Sequence, residues 1–249
     1  ARANQWVVSG EQLSGAELDR VIHDVFTNAG RSIYDLYHTL QNPQAMKGMI
    51  DFTPSALELI EQSQSGKVSR VIAGVHTSNF DLALQASFLC GLRSLAITIA
   101  DMPGSYQWQF ELRKRLGLEI IPASLNALKE GVHRLESGGM VLTGLDRPLA
   151  EVKHRPVFFG RPSHVPVHHI HLALRGNAPV VVAGTHRAAN GRYTFDVSAP
   201  IAMKSLPDRS AEVLRNAEAI LEVAEEFIRR QPQEWAMFLP VWPDAAAPV

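Results

Sequence analysis

The segment GVHTSNFDLA, residues 74–83, sets His76 five positions ahead of Asp81, directly after the apolar run VSRVIAG. A neutral imidazole accepts a proton near pH 7 from a hydroxyl that does not lose it unaided. A carboxylate on the other ring nitrogen fixes the tautomer and stabilises the imidazolium, a role the spacing offers to Asp81. Between the two, Ser78 or Asn79 can cap a helix, and backbone N–H groups there favour developing negative charge. The same spacing also fits a capped turn without chemistry. No Gly-x-Ser-x-Gly elbow occurs, and the one cysteine, Cys90, sits in the apolar stretch ASFLCGL, a core setting rather than that of a nucleophile. A catalytic His76 therefore activates the hydroxyl of a substrate or of water, which leaves direct transfer and hydrolysis both open. His164, His168, His169 and His171 crowd one stretch. Without a compatible third ligand or a nearby cysteine they read as helix-surface or cleft-wall side chains rather than zinc ligands.

The elements that must position these residues follow from hydrophobic rhythm. The segments VSRVIAGV, SLAITIA, LEIIPA and GMVLTGL alternate with helical stretches near 79–90, 105–116 and 124–137. PVVVAG at 179–184 adds a buried strand, and GRYTFDV at 191–197 has the alternation of a more exposed one. This order predicts an α/β fold with a central, largely parallel mixed sheet flanked by helices. Ahead of it, Leu18, Val21, Ile22, Val25, Phe26, Ile33 and Leu36 recur at helical spacing, with Ser14 and Glu17 in capping-box positions. A second helix is expected in TPSALELIEQSQSG, capped by Thr53 with Pro54 in its first turn. Residues 1–65 thus form a helical N-terminal cap within a single domain of 1–249. A last helix runs from Asp208 to just before Pro232.

Composition bounds the function. With 249 residues, 46% hydrophobic and 20% charged, the chain can build one well-packed unit. Its 24 Lys and Arg against 25 Asp and Glu give a net charge of -1, which speaks against a nucleic-acid partner. No apolar run reaches the roughly 18 residues of a membrane span, and no signal peptide opens the sequence. A cytoplasmic protein is expected. The start inside ARANQWVV reads as the interior of a longer helix, so an anchor preceding residue 1 stays open.

HTSNFD resembles the His-x4-Asp/Glu motif of the lysophospholipid acyltransferase superfamily, and more of the chain is similar to its bacterial lipid A and phosphatidylinositol mannoside acyltransferase branch. RANQWVVSG resembles the branch's opening segment, VFFGRPSHVPVHHIHLALRGNAPVVVAGTHR its central block, GRYTF the strand after it, and QPQEWAMFLPVWP its closing segment. The likeness spans nearly the whole chain. It implies transfer of a fatty acyl group from acyl-CoA or acyl carrier protein to a hydroxyl of a lipid or glycolipid, without a tightly bound cofactor. His76 would be the base and Asp81 its support. Peripheral contact with the inner face of the cytoplasmic membrane is expected, with Trp108, Phe110, Arg113 and Arg115 as one possible patch.

The resemblance also draws in further residues. Arg113, with Arg115 close behind, matches an arginine that lines the family's cleft, where a guanidinium can clamp a phosphate. Asp146 matches an acidic position at the carboxyl edge of the sheet, while Arg147 replaces a glutamine common in lipid A enzymes. Gly160 and Arg161 border the family's substrate cleft, and Ser163 is expected to begin the next helix. An acyl-thioester hydrolase and a noncatalytic lipid-binding protein are the alternatives.

Overall fold

The computed structural model describes residues 1–99, 104–115 and 117–248, the side chains of Ser105, Tyr106, Trp108, Gln109, Leu112 and Arg115 lying outside the described set. The chain opens with helices α1 (Arg2–Val8), α2 (Gly15–Thr39) and α3 (Pro43–Gly48), then strand β1 (Ile50–Phe52) and helix α4 (Pro54–Ser65). Strand and helix then alternate as β2 (Arg70–Gly74), α5 (Phe80–Leu89), β3 (Leu95–Thr98), α6 (Gly104–Arg115), β4 (Glu119–Pro122), α7 (Leu125–Glu136) and β5 (Met140–Gly144). A short hairpin of β6 (Val157–Phe158) and β7 (Arg161–Pro162) leads into α8 (His168–Arg175), β8 (Val180–Arg187), β9 (Tyr193–Val197) and α9 (Arg209–Arg230).

Local chemistry sets these boundaries. Glu17 accepts from both the N–H and the hydroxyl of Ser14 at the start of α2, at 2.9 and 2.7 Å. Thr53 and Asp208 accept from the N–H groups of Ala56 and Ala211 at the starts of α4 and α9. Gly66 closes α4 with a φ of 63°, the left-handed cap that glycine takes without strain.

Among the described residues, seven strands form one sheet in the order β1-β9-β8-β2-β5-β3-β4. All its pairings are parallel except β8 with β9. Side chains alternate across it. Val71, Ala73, Val180 and Val182 pack under α7, α8 and α9, while Ile72, Val181 and Ala183 pack against α4 and α5. Both faces are therefore covered, as a parallel sheet requires. From β2 the chain crosses to β3 on one side, and from β5 it crosses to β8 on the other. The carboxyl ends of β2 and β5 thus flank the point where connections diverge, the usual place for an α/β site. The N-terminal segment is helical but also supplies the edge strand β1, parallel to β9.

Ser163 does not begin a helix. Its N–H and hydroxyl both donate to Pro156 O, at 3.0 and 2.8 Å, and α8 starts only after Val167. Pro166 breaks the pattern between the two.

Candidate active site

His76 leaves the sheet two residues after β2, in a tight turn. Thr77 N–H donates to Val75 O at 2.9 Å, and Ser78 takes a φ of 50°. A left-handed serine persists only where its surroundings hold it. Here Ser78 N–H donates to Glu234 O at 2.7 Å, and Thr77 bridges to Trp235. Asn79 then caps α5, its Oδ1 accepting from Leu82 N–H at 3.3 Å while its Nδ2 donates to Ser32 O of α2 at 2.9 Å.

The ring of His76 meets Asp146, from the bend just past β5. Nδ1 lies 2.5 Å from Asp146 Oδ1, and the His76 backbone N–H donates to Oδ2 at 2.9 Å. Trp235 Nε1–H donates to the same Oδ2 at 2.7 Å. Asp146 is fully buried. Burial alone would push its carboxyl up, but the adjacent His76 ring and these hydrogen bonds hold it below the usual carboxylate range. An ionised carboxylate only accepts, so the ring proton sits on Nδ1 and Nε2 is the basic nitrogen. The His76 side chain keeps 24% of its surface exposed, enough for a substrate to reach it.

Two neighbours fix the ring. Phe80 meets it edge-on, with centroids 4.5 Å apart. Gly144, opposite Gly74 in the β2–β5 register, leaves the space the ring fills, since a Cβ there would lie 2.8 Å from His76 Cε1.

The expected pairing of His76 with Asp81 is corrected by this geometry. Asp81 instead accepts from Arg113 Nε at 3.0 Å and from Nη2 at 2.7 Å, with Gln85 Nε2 donating to Oδ1 at 3.3 Å. The left-handed turn at Ser78 and the start of α5 at Phe80 swing Asp81 away from the sheet edge and towards α6. The pair occupies the Nε–Nη2 edge of Arg113, the edge that would otherwise clamp a phosphate.

The remaining residues are dispersed. Ser78 N–H is already given to Glu234, which removes it as an oxyanion donor. Arg147 follows Asp146 in the bend and is half-buried. Gly160 turns the β6–β7 hairpin at φ 74°, and Arg161 pairs with Glu11 at 3.0 Å beside the Trp6 ring. The Arg115 side chain lies outside the described residues. His169 is wholly buried, an interior group rather than a helix-surface or cleft-wall one, while the half-buried His168 bonds Thr143 Oγ1 at 2.6 Å. Among the described residues no three metal-ligating side chains cluster.

Two site residues escaped the sequence. Trp235 holds the dyad's carboxylate and Gly144 makes room for its ring. The closing segment carrying Trp235 is itself held by α1: Asn4 Nδ2 donates to Met237 O and Leu239 O, each at 2.8 Å, and Gln5 Nε2 donates to Pro232 O at 2.8 Å.

Fold and site together define an α/β protein built around a carboxylate-oriented histidine at the divergence point of a parallel sheet. The chain belongs to the bacterial lipid A biosynthesis acyltransferase family, whose model it matches over residues 1–243. It is similar to the phosphatidylinositol mannoside acyltransferases of two strains of Mycobacterium tuberculosis, each 26% identical over 211 residues. The match covers 81% of this chain and 63% of either relative, so the chain spans less than two thirds of their length.

Proposed function

We propose that this chain transfers a fatty acyl group from acyl-CoA or acyl carrier protein to a hydroxyl of a glycolipid or phospholipid, with His76 as general base. The observation carrying this reading is the 2.5 Å contact of Nδ1 with buried Asp146, which leaves Nε2 as acceptor. The acceptor's O–H bond breaks as Nε2 takes the proton and the oxygen attacks the thioester carbonyl. The C–S bond then breaks as the tetrahedral intermediate collapses, and the proton passes from Nε2 to the departing thiolate. The N–H groups of Asn79, Phe80 and Asp81 are the donors for the developing oxyanion, since that of Leu82 is given to Asn79 Oδ1. Asp146 orients the ring and stabilises the positive charge it gains on taking the proton. Asp81 acts indirectly, by fixing Arg113 against α5. Neither Cys90 nor any serine serves as a nucleophile, so no covalent acyl-enzyme forms. The relatives' name favours a glycolipid acceptor. No described helix is long and apolar enough to cross a membrane, and the lipid is met at the membrane's cytoplasmic surface.

Incubation with radiolabelled palmitoyl-CoA or palmitoyl carrier protein and a lipid panel tests this. His76→Ala should keep a cooperative melt and lose about 10²–10⁴-fold in turnover. Free palmitate without acylated lipid would replace transfer by hydrolysis, and an unconsumed donor would leave a lipid-binding protein. Rapid quench and intact-mass analysis should show no kinetically competent acyl adduct.

A further inference from the structure

A polar cleft of about 450 Å³ opens between α2, the end of β8 and the turn at Pro232–Glu234. Its wall combines Arg31 and Arg187 with Asn28, Gln231, Asp24 and Glu234. Among the described residues neither guanidinium forms an ion pair. Among these residues Arg31 Nη1 donates to Asn28 Oδ1 at 3.1 Å, and Arg187 Nε is buried without a described partner. The backbone behind Arg187 is fixed, because its N–H donates to Gln231 Oε1 at 3.1 Å and its carbonyl accepts from Gln231 Nε2 at 2.9 Å. Two guanidinium groups without an ion pair, lining one cleft, offer an anion the paired N–H donors it needs. The cleft also adjoins the dyad: Glu234 lines it, and the next residue, Trp235, donates to Asp146.

We propose that this cleft binds the headgroup of the acyl acceptor, a singly charged phosphodiester bearing free hydroxyls; this rests on the acyl-transfer reading above. The lining sets two guanidinium groups beside the carboxylates of Asp24 and Glu234, so an arginine can pair with a single phosphodiester charge while further negative charge is repelled. A polyanion such as CoA would face two carboxylates instead. Those carboxylates, with the Asn28 amide, suit hydroxyls, which both donate and accept. The donor's phosphates share this anion chemistry, so the test separates the two sources.

Calorimetric titration of the full chain with glycerophosphoinositol, a soluble phosphodiester polyol, should show binding that Arg187→Ala and Arg31→Ala each weaken about tenfold or more. Arg187→Lys should recover part of it, and His76→Ala should leave it unchanged. Coenzyme A binding should be insensitive to both arginine substitutions. No binding by the wild type, or equal binding by folded arginine variants, would overturn the assignment. Loss of coenzyme A binding instead would give the cleft to the donor. Binding without any acyl transfer would remove the enzymatic reading and keep the cleft, whereas transfer without binding would do the reverse.

Discussion

At the scale of single residues, the proposed chemistry rests on the His76–Asp146 contact rather than on the spacing of His76 and Asp81. Asp146→Asn keeps the shape but lets an amide N–H face the ring, favouring the wrong tautomer, so kcat should fall about 10²-fold or more. Asp81→Asn should leave the ring's partner in place and lower kcat less, while loosening Arg113. A larger kcat loss in Asp81→Asn than in Asp146→Asn, with both variants folded, would reverse these assignments. Asp146 also ties stability to pH. Its carboxyl is depressed below 3.8, so it stabilises the fold above that value and ceases to as pH falls through the folded value. Gly144→Ala offers a steric test, because a Cβ 2.8 Å from His76 Cε1 forces the ring to shift. Turnover should drop about 10²-fold with little change in substrate KM; wild-type kcat in a folded variant would show that the ring's position is not critical. Spacing singles out His76, and the resemblance singles out Asp146 and Arg113 as substrate-binding residues, but the contacts they make with His76 and Asp81 were not legible. Asp146 lies 70 residues from His76 and Trp235 lies 89 from Asp146. Five-residue spacing drew attention to Asp81, yet the left-handed Ser78 between them redirects the chain, and no residue-type pattern announces that.

At the scale of elements, long periodic segments were readable because burial on both faces leaves continuous apolar runs. The strands β1, β6 and β7 have two or three residues each and carry no period to read. Helix α8 shows the other limit, since a histidine-rich stretch reads as polar although His169 is core. Burial lowers His168 to about 4 and His169 to about 3, so both are neutral at pH 7. The unfolded chain binds these protons below about pH 6.5 while the folded chain does not. Stability should therefore decline as pH drops from 6.5 towards 4, by roughly 1 kcal/mol per pH unit for each group. Among the described residues neither ring nitrogen of His169 has a hydrogen-bond partner. His169→Leu should thus preserve stability at pH 7.5 and flatten the decline. Urea midpoints at several pH values check this, and a slope unchanged by the substitution would remove His169 from the account. The consequence reaches the site, because His168 bonds Thr143, three residues before Asp146.

At the scale of the whole molecule, α2 has two apolar faces, and the sequence could not say that only one belongs to the core. Leu18, Val25 and Leu36 are buried, but Phe26 and Ile33 are each 58% exposed, with Tyr34 and Tyr37 beside them. Phe238 extends the exposed face by stacking on Phe26 at 5.1 Å, and Leu239 is exposed next to it. The patch expected around α6 is not this surface: Phe110 is buried and Arg113 is paired with Asp81, while the side chains of Trp108 and Arg115 lie outside the described residues. An aliphatic acceptor must be drawn from a bilayer, and α2 touches the candidate site directly through the Ser32–Asn79 hydrogen bond. If the proposed peripheral contact holds, a lipid surface is the expected occupant of the second face of α2. Because the contact is apolar, flotation with phosphatidylcholine–phosphatidylglycerol vesicles should persist at roughly 0.5 M salt, where exposed charge interactions are screened. The double substitution Phe26→Asp with Ile33→Asp removes two exposed side chains, each contributing about 1.5–3 kcal/mol on burial, so flotation should weaken at least about tenfold. Turnover of a vesicle-embedded acceptor should fall in parallel, while turnover of the same lipid dispersed in detergent should not. Unchanged flotation by a folded double variant would exclude α2 as the contact, and equal losses in vesicles and detergent would mean that the substitutions act on the site through α2 rather than on membrane access.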